Sequence, residues 1–148
     1  MNLTNILKEG CVVIDAECSD KESVLRKIAE IAKRNPILKK IREEEIYQSL
    51  AEREKLGSTA LFNRIAIPHC KLKKIKDFVV GIVRLENAVD FDSLDNNPTK
   101  VFVFIIAPES QRNEHLRILS AISRYLRIEG NPEKILTAGS AEKVRESF

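Results

Sequence analysis

Three observations predict an α/β protein of three layers, with helices on both sides of a small mixed β-sheet. Strand-like and helix-like stretches alternate along the 148 residues. Val101 to Ala107 (V-F-V-F-I-I-A) is apolar at odd and even positions alike, as a strand buried on both faces must be. Val24, Leu25, Ile28, Ile31 and Ala32 recur at helical spacing, which gives one apolar helix face to lay on such a sheet. A chain of this length is expected to form a single domain, residues 1–148, large enough to bury its own core.

The elements follow in order. Asn2 to Lys8 places Leu3, Ile6 and Leu7 on one face of a short helix that Gly10 ends. Cys11 to Ala16 is brief and β-branched, hence a strand. Ser19-Asp20-Lys21-Glu22 has capping-box spacing, with Ser19 accepting from the Glu22 backbone and the Glu22 side chain reaching back. The helix behind it runs to about Arg34, and Asn35-Pro36 stops it. Arg42 to Glu54 predicts a second helix with Ile46, Leu50 and Ala51 on its apolar side. Its first turn holds Glu43, Glu44 and Glu45, where the helix dipole favours negative charge.

Gly57-Ser58-Thr59 signals a turn. Ile65-Ala66-Ile67 reads as a short strand stopped by Pro68, which leaves His69 where a sheet ends and a loop begins. Lys71 to Lys76 is a basic connection, either simply solvated or a local positive field beside His69. Phe78 to Leu85 is a strand, and Glu86 to Lys100 is mainly loop and turn. Val101 to Ala107 is the central strand, closed by Pro108. Asn113 is placed to cap the next helix, on which His115, Leu116, Leu119, Ile122 and Leu126 share one broad side through about Arg127. Gly130 and Asn131-Pro132 end that helix and open another with proline at its first position. Ser140 caps a last helix to Phe148.

The totals exclude several function classes. Net charge is +3 from 25 basic and 22 acidic residues, spread along the chain, unlike the clustered basic face of a nucleic-acid domain. Cys11, Cys18 and Cys70 make an odd number with no C-x-x-C pair, so neither a disulfide framework nor a metal site is expected. No stretch approaches the ~20 apolar residues of a membrane span, and Met1 to Glu9 is too polar for a secretory signal. A cytoplasmic protein without membrane insertion is the expectation.

Only 2 histidines are present. His69 follows a strand and Pro68; His115 follows a strand, Pro108 and a short loop, then opens a helix. If the two strands are neighbours, both histidines lie at corresponding ends of the sheet, where α/β folds bind ligands. Free N–H groups and a positive dipole end at the His115 helix favour an anion and oppose protonation of that imidazole. Arg53 or Arg64 can supply a fixed positive charge. Two imidazoles, an arginine and a helix N-terminus suit a phosphoryl group, whose transfer needs positioning and charge dispersal above all. The residues alone more often mean two unrelated histidines, each partly buried and held by its own hydrogen bond.

R-E-K-L-G-S-T (residues 53–59) followed by I-A-I-P-H (residues 65–69) resembles the active-site signature of the enzyme IIA domains of the bacterial phosphotransferase system, of the fructose/mannitol type, which include the nitrogen-regulatory enzyme IIA proteins. The resemblance extends over essentially the whole chain, through S-D-K-E-S-V-L, E-E-E-I-Y-Q-S-L, V-F-V-F-I-I-A-P and H-L-R-I-L-S-A-I-S. It implies that His69 accepts a phosphoryl group from the phosphohistidine of HPr or an HPr-like carrier, that His115 orients this group, and that Arg53 steadies its charge. Ser58 and Thr59 would shape the pocket. An enzyme IIB would take the group onward, with neither cofactor nor Mg²⁺. The chain departs from the family pattern where a glycine-rich turn is usual: Ala60-Leu61-Phe62-Asn63-Arg64 holds no glycine, and Phe62 there is free to cap the pocket or meet a partner. Cys70 beside His69 is either a redox-sensitive neighbour or a small filler.

Three functions remain open at this point. The first is a phosphocarrier in fructose- or mannitol-type sugar uptake. The second is a regulatory module whose phosphorylation state controls a partner protein. The third, which intact His69 and His115 oppose, is the cytosolic module of an ion transporter without phosphoryl transfer.

Overall fold

The computed structural model describes residues 5–6 and 11–148. The helix expected over Asn2–Lys8 and its Gly10 stop therefore lie outside the described residues, except Asn5 and Ile6, which are helical. In chain order the elements are β1 (Val12–Ala16), α1 (Lys21–Ala32), a 3-10 turn (Pro36–Leu38), α2 (Glu43–Lys55), β2 (Ile65–Ala66), β3 (His69–Leu72), β4 (Val79–Val89), β5 (Thr99–Pro108), α3 (Arg112–Arg127), α4 (Asn131–Thr137) and α5 (Ala141–Glu146). The sheet runs β1-β4-β5-β2, and β3 continues along the same edge of β5 beyond β2. It is mixed: β4 and β5 are antiparallel, β1 is parallel to β4, and β2 and β3 are parallel to β5.

The two-sided apolar pattern of β5 builds the layers. Phe102, Phe104 and Ile106 point to one face, where Val24 and Ile28 of α1 and Ile46 and Leu50 of α2 cover them. Val101, Val103, Ile105 and Ala107 point to the other, under Ile118 and Ile122 of α3, Ile135 of α4 and Val144 of α5. Each such aliphatic side chain contributes about 1.5–3 kcal/mol of transfer free energy when fully buried. Gly81 of β4 pairs with Phe104, and a Cβ there would fall 2.3 Å from the phenylalanine ring and 2.6 Å from the Cys11 carbonyl. Any other residue would push the ring or β1 away. Arg84 is buried on β4 and donates from Nη1 to the carbonyls of Ile135 (3.0 Å) and Ala138 (2.6 Å), closing the C-terminal end of α4.

Several local expectations are corrected. The cap of α1 is Asp20, not Ser19: Asp20 accepts from the Ser23 N–H at 2.8 Å, and Ser23 Oγ accepts from the Asp20 N–H at 3.0 Å. Shifting by one residue lets a short serine close the box that Glu22 was expected to close. The strand from Phe78 does not stop at Leu85 but continues to Val89. Asn113 does not cap α3; it lies inside the first turn, and the N-cap is Gln111, whose side chain donates to the Lys76 carbonyl at 2.8 Å. Pro132 occupies the second position of α4, after Asn131. Leu116 is 58% exposed and Leu119 partly so, because the buried stripe of α3 is His115, Ile118, Ile122 and Leu126. Among the described residues no helix is long and apolar enough to cross a membrane.

Candidate active site

Pro68 does not end the edge strand. It breaks it, and His69 begins a second strand segment that resumes pairing with β5, His69 opposite Ile105. Proline has no N–H to give, but its carbonyl still accepts from Ile105 N at 3.0 Å, so the interruption costs little. Lys71 and Leu72, expected in a loop, belong to the same strand. The parallel run of β3 beside β5, and the short loop from β5 into α3, bring the two histidines together. Their rings stand 5.5 Å apart, edge to face at 73°.

The half-buried His69 has both ring nitrogens engaged. Nδ1 lies 2.8 Å from the Ile67 carbonyl, which can only accept, so Nδ1 carries the proton and Nε2 the lone pair. Arg53 Nε donates to that lone pair at 3.3 Å, while its Nη1 donates to the Gly57 carbonyl at 2.8 Å. Burial lowers the His69 pKa, Arg53 and Lys71 push the same way, and the Ile67 bond opposes them. The imidazole is therefore neutral at neutral pH, and its Nε2 carries a lone pair rather than a proton.

His115 sits on the first turns of α3, 3% exposed, and its Nε2 is buried with no hydrogen-bond partner among the described residues. Burial first, then the charges of His69 and Lys71, lowers its pKa to about 4. The expected cause, the helix dipole, is thus secondary to desolvation. The His115 Nε2 is thus a buried polar atom that a ligand atom entering the cleft could satisfy. The cleft around the pair, about 560 Å³, is lined by Arg53, Leu56, Lys71, Arg112, Leu116 and Leu119 among others.

Ser58 and Thr59 do not line this cleft; they tie its support together. Ser58 Oγ donates to the Phe91 carbonyl at 2.6 Å and accepts from the Ala60 N–H. Thr59 donates from its backbone N–H (3.2 Å) and its hydroxyl to the carboxylate of Glu54, which is 6% exposed and pairs with Lys21 at 3.4 Å. The Thr59 carbonyl in turn accepts from Ile67 N at 3.0 Å, and Ile67 holds His69. Glu54 was not among the residues singled out. An acid beside Arg53, five residues before a threonine, was the available signal.

Arg64 is exposed and leads into the far end of β2, where its carbonyl accepts from Val101 N at 3.2 Å. Val101 and Ile105 are about 13 Å apart along β5, so the Arg64 backbone is well away from His69. Asn63 and Arg64 both have positive φ (59° and 64°), so two non-glycine residues make the turn that lacks glycine. Phe62 is 58% exposed and does not line the cleft, so it does not cap it. Cys70 is 4% exposed, and burial raises its thiol pKa to about 12. That makes it a filler rather than a reactive thiol. Among the described residues no cluster of His, Cys, Asp and Glu is arranged to hold a metal ion.

A nitrogen regulatory protein of Pseudomonas aeruginosa is 33% identical over 142 residues, 96% of this chain and 91% of that protein. A fructose-specific EIIA component of Haloferax volcanii is 37% identical over 98 residues, 66% of this chain and 64% of that protein. The crystal structure of nitrogen regulatory protein IIA-Ntr from Neisseria meningitidis superposes with a TM-score of 0.90 at 28% identity, covering 98% of this chain and 97% of that one. The model of the EIIA 2 family of the phosphoenolpyruvate-dependent sugar phosphotransferase system matches residues 5–148, and the chain belongs to that family.

Proposed function

We propose that the chain is a phosphocarrier that takes a phosphoryl group onto His69 Nε2 from the phosphohistidine of HPr or an HPr-like protein. The observation that carries this is the fixed tautomer: the Ile67 carbonyl holds the proton on Nδ1 and leaves the Nε2 lone pair facing the cleft. That pair attacks phosphorus, the bond to the donor nitrogen breaks, and the donor keeps its electrons. Arg53 moves its Nε donation from Nε2 to a phosphoryl oxygen. His115, neutral because it is buried, offers Nε2–H to another. The Nδ1–H bond to Ile67 persists and stabilises the charge that the ring acquires.

The group then passes to a fructose- or mannitol-type enzyme IIB. A second reading is that its presence or absence on His69 controls a regulated partner. The near full-length similarity to nitrogen regulatory proteins favours this second outlet, and the fructose-specific relative favours the first.

Intact mass after incubation with phosphoenolpyruvate, enzyme I and HPr, kept alkaline, tests the common step. One added phosphoryl group, absent from His69→Ala, is expected. Labelling of His69→Ala equal to the parent would refute the site. Adding enzyme IIB to the labelled protein then separates the outlets: rapid loss of the group supports transport.

A further inference from the structure

Phosphorylation at Nε2 changes the charge of the His69 ring. The ring keeps its Nδ1 proton for the Ile67 carbonyl and gains a bond to phosphorus, so it becomes a cation. The donor ring loses the same charge when its own bond to phosphorus breaks. How far the transfer runs therefore depends on how well this fold holds a positive imidazole in a half-buried place.

Most neighbours oppose that charge. Arg53 Nε lies 3.3 Å from Nε2, and Lys71 follows on the same face of β3. Both can serve phosphoryl oxygens, but neither favours a cationic ring. Glu52 lines the cleft but is exposed, where water and salt screen it. Glu54 differs. It is 6% exposed, and its carboxylate accepts from the Thr59 N–H at 3.2 Å and from the Thr59 hydroxyl. The Thr59 carbonyl holds Ile67, and the Ile67 carbonyl holds His69 Nδ1. Two residues therefore join the acid to the ring.

Lys21, 3.4 Å from Glu54, would cancel that charge if it belonged to Glu54 alone. The same ammonium also lies 3.1 Å from Asp92, whose side chain is 72% exposed. One lysine shared by two carboxylates leaves the cluster a net negative charge. Its buried member is Glu54, and a charge in the low-dielectric interior reaches further than one in water. Burial lowers the His69 pKa most, and Arg53 and Lys71 lower it too, whereas the Ile67 bond and the charge of Glu54 raise it.

We infer that Glu54 is the buried counter-charge of the phosphorylated His69 ring, a positioning residue that sets how far the phosphoryl group moves from its donor onto this chain. The inference rests on the phosphocarrier reading of His69. It adds a determinant of the transfer equilibrium, with Lys21 as the residue that attenuates it.

The test uses the full chain with isotope-labelled histidine. Each variant is mixed with phosphorylated HPr, and its phosphorylated form with HPr, until the two directions meet. Intact mass, kept alkaline, gives the ratio of phosphorylated forms, and nitrogen NMR follows the titration of the unphosphorylated ring. Glu54→Gln should move the ratio ~10-fold toward the donor and lower the His69 pKa. Lys21→Met leaves the Glu54 charge less compensated while Thr59 still donates to it twice. It should move both readings the other way, the ratio ~3-fold. Loosening of the fold cannot produce opposite shifts from two substitutions in one cluster. Both variants at the parent's ratio, or both shifted toward the donor, would overturn the counter-charge and leave Glu54 a folding residue. If Glu54→Gln does not fold, Lys21→Met decides alone, and a ratio unmoved or moved toward the donor overturns the inference. No labelling of the parent by phosphorylated HPr would remove the phosphocarrier reading, and this inference with it.

Discussion

His69 and His115 face each other at 5.5 Å, yet the fold treats them oppositely. Around His69 one continuous chain of polar groups is tied down: Ile67 to Nδ1, Thr59 to Ile67, Glu54 to Thr59, Lys21 to Glu54. Around His115 the packing is tight but Nε2 has no hydrogen-bond partner among the described residues. On the proposed phosphocarrier reading the difference has a reason. A nucleophile must present one nitrogen in one tautomer, so its support is over-determined, whereas a group that meets an incoming oxygen must keep a bond in reserve.

The sharpest way to break the comparison is to delete each ring. His69→Ala should lose all labelling. His115→Ala should still be labelled but should hand the group on ~10²-fold more slowly. Equal defects in both would mean the two rings act as one unit. Acid is the next lever. The unfolded chain protonates His115 near its ordinary 6.5, whereas the folded site resists to about 4. Stability present above pH 6.5 is therefore lost as pH falls toward 4, by about 3 kcal/mol. Urea unfolding at pH 7 and pH 4 measures this, and His115→Asn should flatten the dependence.

Glu54→Gln attacks the other side. It keeps the shape but leaves Lys21 with Asp92 alone of its two carboxylates and Thr59 with a neutral acceptor, and should cost about 2 kcal/mol. It should also let the minor tautomer of His69 show in nitrogen NMR; a stability loss with the His69 signals unmoved would make Glu54 a folding residue only. The smallest effect is expected farthest away. Arg64→Gly relieves a positive φ on a side chain that does not line the cleft, and should add roughly 1 kcal/mol while leaving the labelling rate as it was.

The same contrast explains what could be read from the sequence. The double-sided apolarity of β5 announces the layers, and the α1 periodicity survives a one-residue error in its cap. That Arg53, His69 and His115 would share one cleft was legible because their pattern resembles a known signature. β3 was hidden because proline usually ends a strand, and here its carbonyl kept the pairing alive. Arg64 looked equivalent to Arg53 until the register set them apart. Leu116 looked like core because leucine at helical spacing usually is, and only the fold shows that its edge of α3 is exposed among the described residues.

β5 has a further consequence. It is walled in on both faces, is paired along both edges, holds His69 through β3 and leads directly into the helix that carries His115. The strand that joins the two halves of the site is therefore the last part of it to open, so amide exchange at Ile105 should run at the rate of global unfolding.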